Sequence, residues 1–362
     1  MTQTVIALLG RKDQPTDAVE EYCTYLGAAL RAHDIEMEVR RVPWEIHGWA
    51  AALETLPLIA SQWRDKWVFV QYTALAWSAR GFPQKFLRVL EILKAAGARI
   101  VIVFHDVQPF HGKRFIDKFR RYTQLRTMRH ALAVADKSIF TVPLDKIAWL
   151  PAGMLNAIFI PVGPNLPIPA VDSEPRHSKT KIPTIAVFSI TGGEAGARET
   201  KVIIDAVGTA SMSLGLLRLS VFGRNAELRE SDLVRGLQDL PVELSVQGVL
   251  DAEAVVQRLR TSDVLLFIRG PISSGRGSAI AGIACGLPLI AYSGSQAAPP
   301  ITEAGVILVP ENDLAQLSAA LTRVLSDSDY RLTLAERSRS TYEAHFSWSV
   351  IASHHVSLMN SK

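Results

Sequence analysis

The chain has 362 residues, 48% of them hydrophobic, which is more than one ordinary core accommodates, so two domains are expected. The formal net charge is +4, and the only cysteines, Cys23 and Cys285, lie within apolar segments, which excludes a disulfide framework and indicates a reducing compartment. The opening run MTQTVIALLG is too short for a membrane span and lacks the basic flank of a signal peptide. We therefore expect a soluble, cytoplasmic protein.

Apolar runs recur along the first half of the chain, and helical patterns fill the gaps between them. The runs are continuous rather than alternating, which is typical of parallel strands covered by helices on both faces. They are Val5–Gly10, Trp67–Tyr72, Arg99–His105, Ser138–Pro143 and Ile158–Gly163, with helices predicted at Ala18–Ala32, Lys85–Ala96 and Phe115–Ala135. This array predicts a doubly wound α/β domain.

The third of these helices lies in a strongly basic segment. Residues 111–130 hold seven Lys or Arg and a single acid, Asp117, and apolar residues recur through them at helical spacing. A basic amphipathic helix suits an anionic membrane surface. The residues assigned to this contact are Lys113, Arg114, Lys118, Arg120 and Arg121. The alternative is a solvated helix whose apolar stripe packs on its own sheet. Nucleic acid is not expected, because no RNA-binding or recognition-helix motif accompanies the charge.

A proline-rich segment separates the two halves. Residues 161–183 contain six prolines, which predicts a stiff linker at 163–183. Six further apolar runs follow it: Thr184–Ile190, Leu217–Gly223, Glu243–Gly248, Val264–Ile268, Leu289–Tyr292 and Val306–Pro310. Helical patterns separate several of them, at Lys201–Leu214, Ala252–Thr261 and Leu314–Leu325. The second half therefore predicts another doubly wound domain.

The loop after the fourth of these runs predicts an anion site. It contains Arg276 and leads to Ser278, which we expect to be the N-cap of a short helix, Ala279–Cys285, that ends at Gly286. A helix N-terminus with an adjacent arginine suits a phosphate, because its backbone N–H groups and the guanidinium face the same point. The alternative is an ordinary β–α–β unit with an empty crevice.

Five stretches have, together, the order and spacing of one known family. They are TDAVEEYCTYLGAALRAHDIEMEV (16–39), IPVGPNLP (160–167), ACGLPLIA (284–291), ITEAGVILVPENDLAQLSAAL (301–321) and HFSWSVIASHHVSLM (345–359). They resemble the GT-B glycosyltransferases, in particular the retaining family 4 enzymes, also called glycosyl transferases group 1.

The resemblance implies two Rossmann-like domains that face each other across a cleft. The acceptor-side domain would span residues 1–162, with 343–362 packing back on it, and the nucleotide-sugar-binding domain would span 184–342. The implied reaction is retaining, metal-independent transfer of a sugar from a UDP- or GDP-sugar to a glycan or lipid-linked acceptor, in bacterial polysaccharide or glycolipid synthesis. No cofactor is implied. The basic helix predicts peripheral contact with the cytoplasmic face of the plasma membrane.

The chain departs from the family at two glutamates that usually lie eight positions apart. The matching positions are Ser273 or Ser274 and Ala281 or Gly282, none of which is acidic. This departure keeps open a second hypothesis, a catalytically inactive GT-B-like binding or assembly protein. A Rossmann oxidoreductase is disfavoured, because GGEAGARE (192–199) is not a G-x-G-x-x-G motif.

Site residues follow from the resemblance and from strand ends. We assign the donor phosphates to Arg198, Lys201, Arg276, Gly277 and Ser278, and the nucleotide crevice to Gly223 and Arg224. For Arg198 and Lys201 the alternative is a solvated helix surface. Cationic groups stabilise the diphosphate leaving group without a metal, and no Asp-x-Asp motif occurs at a strand end.

In the first half, His105 ends a predicted strand, where ligands bind in open α/β sheets. It is the candidate catalytic residue, which would donate to a sugar hydroxyl or support the sugar through its carbonyl; the alternative is a turn cap. Gln71 and Tyr72 end the preceding strand and are assigned to acceptor binding. Asp17 either contacts the acceptor or caps the first helix.

Overall fold

The computed structural model describes residues 2–112, 114–168 and 182–361. The chain divides into two compact units, one comprising the residues up to Val162 together with those from Trp348 onward, the other Gly163–Ser347. Lys113 and residues 169–181 of the predicted linker lie outside the described residues.

The first unit is built on a six-stranded, wholly parallel sheet of order β2-β1-β3-β4-β5-β6. Its strands are β1 (Gln3–Leu9), β2 (Ile35–Arg41), β3 (Trp67–Tyr72), β4 (Arg99–Phe104), β5 (Lys137–Phe140) and β6 (Ala157–Phe159). Its helices are α1 (Ala18–Leu30), α2 (Trp44–Ala60), α3 (Lys85–Ala95) and α4 (Phe115–Val134). Buried aromatic rings fill the space between sheet and helices, among them Phe86, Phe104 and Phe140, of which the last two stack with ring centroids 4.7 Å apart.

The second unit repeats this plan with a sheet of order β12-β11-β10-β7-β8-β9. Its strands are β7 (Thr184–Phe188), β8 (Leu217–Phe222), β9 (Val242–Gln247), β10 (Val264–Pro271), β11 (Leu289–Tyr292) and β12 (Val306–Val309), again all parallel. Its helices are α5 (Gly193–Leu214), α6 (Glu230–Leu237), α7 (Ala252–Arg260), α8 (Gly277–Ala284), α9 (Leu314–Ser326) and α10 (Ser328–Thr341). Aliphatic side chains such as Ile203, Leu219 and Leu266 form its core.

The last helix, α11 (Trp348–Asn360), belongs to the first unit and packs on α1. The ring of Trp348 stacks on Tyr25 and meets Tyr22 edge-on. Two parallel α/β sheets with helices on both are the class that the sequence predicts, and this prediction is confirmed. None of the described helices combines the length and hydropathy needed to cross a membrane.

Candidate active site

In the second unit, the loops after β7 and β8 are tied to each other at the carboxyl edge of the sheet. The Ser189 N–H donates to the Phe222 carbonyl over 2.7 Å, and the Ser189 hydroxyl accepts from the Arg224 N–H over 3.1 Å. Gly223 has φ +95°, and a Cβ there would lie 2.6 Å from the Ser189 hydroxyl oxygen, so a side chain does not fit without rearrangement. These contacts fix the backbone of Arg224 at the edge where α/β sheets bind ligands.

The strand-to-helix turn between β10 and α8 differs from the prediction at both of its ends. Strand β10 continues past Ile268 to Pro271, so Arg269 lies within the strand. Helix α8 begins at Gly277 with Arg276 as its N-cap residue, and the predicted N-cap, Ser278, lies in its first turn. The reason is the Arg276 N–H, which donates to the Ser273 carbonyl over 3.0 Å and starts the turn early.

The end of α8 matches the prediction. Gly286 has φ +70° and donates its N–H to the Ile283 carbonyl, while the Leu287 N–H donates to the Gly282 carbonyl. This pair of hydrogen bonds is a Schellman motif, which requires a residue that tolerates the left-handed conformation.

Arg269 also lies at this edge, at the end of β10, although the apolar run of the sequence stops before it. Its Nε is buried without a hydrogen-bond partner among the described residues. Burial lowers the pKa of Arg269; the nearby Arg276 and Arg224 lower it further, and Glu199 opposes them. Arg276, Arg224 and the Glu199 carboxylate therefore lie near Arg269. The Oε2 of Glu199 accepts from the Thr191 N–H over 2.8 Å. We call Arg224, Arg269 and Arg276 the arginine cluster.

Arg198 and Lys201 are not brought to this cluster. Arg198 lies 3.9 Å from Glu194 and Lys201 lies 2.6 Å from Asp205, each one turn away on α5, and the two basic side chains are 73% and 76% exposed. Neither is among the charges that shift the pKa of Arg269. These contacts match the alternative of a solvated helix surface, because α5 begins at Gly193 and turns this face outward.

The positions at which the family carries glutamates are packed with small side chains. Ser273, Ser274 and Ala281 are buried, and a Cβ on Gly282 would lie 2.5 Å from the Leu265 side chain. A glutamate at any of these positions would therefore require the surrounding side chains to rearrange. No group of three or more His, Cys, Asp or Glu that could hold a metal occurs in the described part of the chain.

In the first unit, a pocket of about 210 Å³ opens at the carboxyl edge of β1 and β3. Its lining includes Gly10, Asp17, Gln71, Thr73 and Asp106. The loop around it is held closely, because the Asp106 carboxylate accepts from the Ala74 N–H over 2.7 Å. Two of the residues assigned to the acceptor, Asp17 and Gln71, therefore lie at one pocket.

Asp17 caps α1 rather than presenting a free carboxylate. Its Oδ1 accepts from the Val19 and Glu20 N–H groups over 3.1 Å, and its Oδ2 accepts from Arg41 over 2.8 Å. Burial raises the pKa of Asp17, but the hydrogen bonds from Arg41 and from the backbone outweigh it, and the net effect lowers the pKa. The capping alternative accounts for all these contacts.

Gln71 and Tyr72 point to opposite faces of the sheet, because side chains alternate along a strand. Gln71 lies 2.8 Å from the Nε2 of His105. Tyr72 instead packs in the core between Phe86 and Phe104 and is fully buried, so the prediction that its side chain contacts the acceptor is wrong.

The first turns of helix α4 bury a polar side chain and expose apolar ones, whereas the alternative drawn from the sequence packs the apolar stripe on the sheet. Asp117 is buried, and Arg120 turns inward to it, with Nη1 donating to its carboxylate over 2.7 Å and Nε donating to the Arg80 carbonyl over 2.9 Å. The aromatic residues of the first turns face outward instead: Phe115 is 87% exposed, Phe119 52% and Tyr122 59%.

The outward face of α4 is therefore both apolar and basic. Lys118 and Arg121 are exposed beside these rings, and Arg114 precedes them at the start of the helix. Arg120, which the sequence assigns to the membrane together with them, is instead directed to Asp117 and is not part of this outward face. We call Phe115, Phe119 and Tyr122 the aromatic face of α4.

Comparison with solved structures identifies the architecture. The chain superposes on sucrose-phosphate synthase from Thermosynechococcus elongatus with a TM-score of 0.70 and 18% identity, covering 99% of this chain and 98% of that one. HepE from Anabaena, solved with UDP and glucose, gives 0.66 and 14%, covering 99% and 100%. WaaG, a glycosyltransferase involved in lipopolysaccharide biosynthesis, gives 0.65 and 14%, covering the same shares. The chain has the GT-B fold. In this GT-B chain, the carboxyl edge of the first sheet carries the pocket, and the carboxyl edge of the second sheet carries the arginine cluster.

Sequence comparison covers less of the chain. No family model matches the chain. A GDP-mannose-dependent monoacylated alpha-(1-6)-phosphatidylinositol monomannoside mannosyltransferase from Corynebacterium glutamicum is 26% identical over 141 residues, which are 37% of this chain and 36% of that protein. The match thus spans about a third of the relative's length.

Proposed function

We propose that this GT-B protein is a glycosyltransferase that moves a sugar from a UDP- or GDP-sugar to a glycan or lipid-linked acceptor, with retention and without a metal. The observation that carries the proposal is the arginine cluster at the carboxyl edge of the second sheet. Relatives of the same fold that bind UDP, and the mannosyltransferase that uses GDP-mannose, support a nucleotide-sugar donor. The polysaccharide and glycolipid roles in their names support a bacterial pathway of that kind.

The charge of the cluster supports a diphosphate in particular. Arg276, Arg224 and Glu199 all act on Arg269, so arginines outnumber the carboxylate among these groups. The diphosphate of a nucleotide sugar carries one negative charge on each phosphate, which suits a site with several arginines. The buried Nε of Arg269 is a donor that such an anion would satisfy.

The same groups supply the chemistry. When the bond between the anomeric carbon and the diphosphate breaks, the leaving group takes the electron pair, and negative charge builds on its oxygen. Arginines placed beside the diphosphate would stabilise this charge. Arg276 and the N–H groups of Gly277 and Ser278 at the start of α8 add to this field. These positive groups take the place that a metal holds in metal-dependent transferases.

One observation favours a second candidate, a GT-B-like binding protein without activity. The small buried residues at Ser273 and Ala281 leave the family's glutamates without counterparts. Whether the protein transfers the sugar to an acceptor separates the two candidates.

The experiment is a thermal-shift panel of UDP-, GDP- and ADP-sugars on the full chain, followed by turnover with glycan and polyprenyl-phosphate acceptors in EDTA. We expect one nucleotide class to raise the Tm, activity that survives the chelator, and a product whose anomeric configuration, read by NMR, matches that of the donor. Absence of any nucleotide-dependent shift contradicts the proposal. A shift without turnover on any acceptor supports the inactive binding protein.

The aromatic face of α4 supports attachment to an anionic membrane, where lipid-linked acceptors reside. Rings that insert at the interface, flanked by Lys118 and Arg121, combine apolar and electrostatic attraction. Burial of a large apolar side chain is worth at least about 1.5 kcal/mol. The double variant Phe115→Ser, Phe119→Ser should therefore lose about 3 kcal/mol, which is roughly 100-fold in vesicle partitioning.

Sedimentation with phosphatidylglycerol vesicles measures this loss. Leu155→Ser is the matched control, because Leu155 is 96% exposed but lies outside α4. Binding of the unaltered protein should weaken as salt rises. Equal sedimentation of the double variant and the control would contradict membrane docking by α4.

A further inference from the structure

The orientation of the Gln71 amide follows from its two neighbours. Its Nε2 donates to the Phe69 carbonyl over 3.3 Å, and its Oε1 lies 2.8 Å from the Nε2 of His105. Reversing the amide would set its oxygen against the Phe69 carbonyl, so that two acceptors would face each other. The residue is 1% exposed, and its own carbonyl accepts from the Trp77 indole over 2.8 Å, which holds the backbone in place.

This orientation decides where the His105 proton lies. Since Gln71 presents an oxygen, the hydrogen bond forms only if the Nε2 of His105 carries the proton and donates. Burial lowers the pKa of His105 to about 4, so the ring is neutral near pH 7 and holds one proton. Its Nδ1 is therefore an acceptor. His105 is partly exposed. Its partner Gln71 lines the pocket at this edge of the sheet, so a ligand in the pocket lies next to the pair.

The C-terminal helix holds Tyr22, whose ring packs against His105. His105 meets Tyr22 edge-on, with centroids 5.0 Å apart. The Tyr22 hydroxyl lies 3.2 Å from the Nε2 of His355, whose Nδ1 lies 2.9 Å from the Ile351 carbonyl. A carbonyl only accepts, so the Nδ1 of His355 donates to it, its Nε2 accepts, and Tyr22 donates. The Tyr22 hydroxyl therefore donates its proton to His355. Gln71 is then the residue whose hydrogen bond sets the tautomer of His105.

We infer that Gln71 is a positioning residue that holds His105 in its Nε2–H tautomer and so presents Nδ1 as the acceptor for a hydroxyl group of the sugar substrate. This inference rests on the proposed function and reverses the expectation that His105 donates through its ring. A neutral imidazole with its proton committed to Gln71 has no second N–H to give. The substrate it suits is a neutral sugar hydroxyl, which donates.

The first experiment reads the tautomer directly by two-bond ¹H–¹⁵N NMR of the ¹⁵N-labelled full chain, with His105→Gln to assign the signal. We expect the Nε2–H pattern in the unaltered protein and a mixture of tautomers in Gln71→Met, which keeps the volume but offers no oxygen to the ring. An Nδ1–H pattern in the unaltered protein overturns the inference. This measurement needs no substrate, so it decides the role of Gln71 even if every donor proves inactive.

The second experiment separates positioning from folding by kinetics. Gln71→Met should lower kcat about tenfold, the effect of one misdirected hydrogen bond, while the Kd for free UDP or GDP stays unchanged. An unchanged kcat in a folded Gln71→Met variant overturns the inference. Absence of turnover in the unaltered protein, with the Nε2–H pattern intact, would instead count against the proposed function.

Gln71→Glu supplies a pH readout that a structural role would not move. The Asp17 carboxylate raises the pKa of His105 against the effect of burial. The other titratable groups nearby are Asp106, the next residue in the chain, Tyr22, whose ring contacts His105, and His355, which contacts the Tyr22 hydroxyl. A carboxylate at position 71 adds a negative charge at hydrogen-bond distance and raises the pKa of His105. Turnover should then fall with acidity at a higher pH than in the unaltered protein, and an identical pH profile overturns the inference.

Discussion

Replacing Arg269 by methionine removes a guanidinium from the arginine cluster while it keeps an unbranched side chain of similar width. The change acts on a group whose Nε is buried without a partner and whose neighbours are Arg276, Arg224 and Glu199. A charge-assisted hydrogen bond contributes about 1.5–3 kcal/mol. The loss of one such bond to a phosphate should weaken nucleotide binding about 10- to 150-fold.

The same substitution should act in the opposite direction on the free protein. Burial and the two neighbouring arginines lower the pKa of Arg269, which means that its charged form is disfavoured in the fold. Removing the charge relieves that repulsion, so the Tm without ligand should stay level or rise. A residue that serves only to hold the fold together would give the reverse pair of results.

Isothermal titration with UDP and GDP at fixed ionic strength, together with Tm measurements on the free protein, gives both quantities. Arg235→Met is the matched control in the same unit, because Arg235 is 77% exposed and lies 4.0 Å from Asp232. Arg269→Lys should lie between the two, since it keeps the charge but loses the planar fork. Nucleotide affinity unchanged in both Arg269→Met and Arg276→Met would refute the reasoning.

Two further predictions follow from the described contacts. Arg198→Ala and Lys201→Ala should change the nucleotide Kd less than twofold in the same titration, because each side chain is exposed and pairs within its own helix; a tenfold loss would restore the assignment made from sequence. Burial lowers the pKa values of His105 and His355 to about 4. In the unfolded chain a histidine has a pKa of about 6.5, so between about pH 6.5 and 4 the unfolded state binds more protons than the folded state. The free energy of unfolding should therefore fall by about 1.4 kcal/mol per pH unit for each histidine as the pH drops through this range. Urea titrations from pH 7.5 to 5 should show a shallower fall in His355→Phe and an unchanged slope for the exposed His130→Gln, and equal slopes in all three proteins would contradict the buried-neutral assignment.

The strands of both sheets could be predicted because parallel strands covered on both sides have continuous apolar sequences. Strand β2 was missed for the converse reason. It lies at the sheet edge, and only its first residue, Ile35, is buried, so charged residues interrupt the run. Helix α2 was missed because Gly48 is non-helical and Pro57 lies inside the helix, which disrupts the pattern. Tertiary packing, rather than local preference, holds both elements.

The site was predicted less completely than the fold. The residues at strand ends could be found, since the rule that led to His105 and Gln71 needs only a strand boundary. The same rule applies to Arg269, which lies near the end of β10. The apolar run stops at Ile268, one residue before Arg269, so the sequence places the end of the strand too early. Arg198 is exposed and lies near Glu194 of its own helix, a direction that spacing along a helix does not predict. The direction of the Arg120 side chain depends on its hydrogen bond to Asp117. The net charge of residues 111–130 does not predict that bond, because Asp117 is one acid among seven basic residues.

Helix α11 also has a consequence for how the protein is made. Its contacts with Tyr22 and Tyr25 belong to the first unit, yet the ribosome reaches Trp348 only after it has synthesised the whole of the second. While the second unit, just over half of the chain, is translated, the partner surface on α1 of the nascent first unit stays uncovered and the Tyr22 hydroxyl lacks His355. Chaperone contact during that interval should concentrate on α1, and a ribosome-stalled chain ending before Trp348 should bind the chaperone for longer than one that includes it.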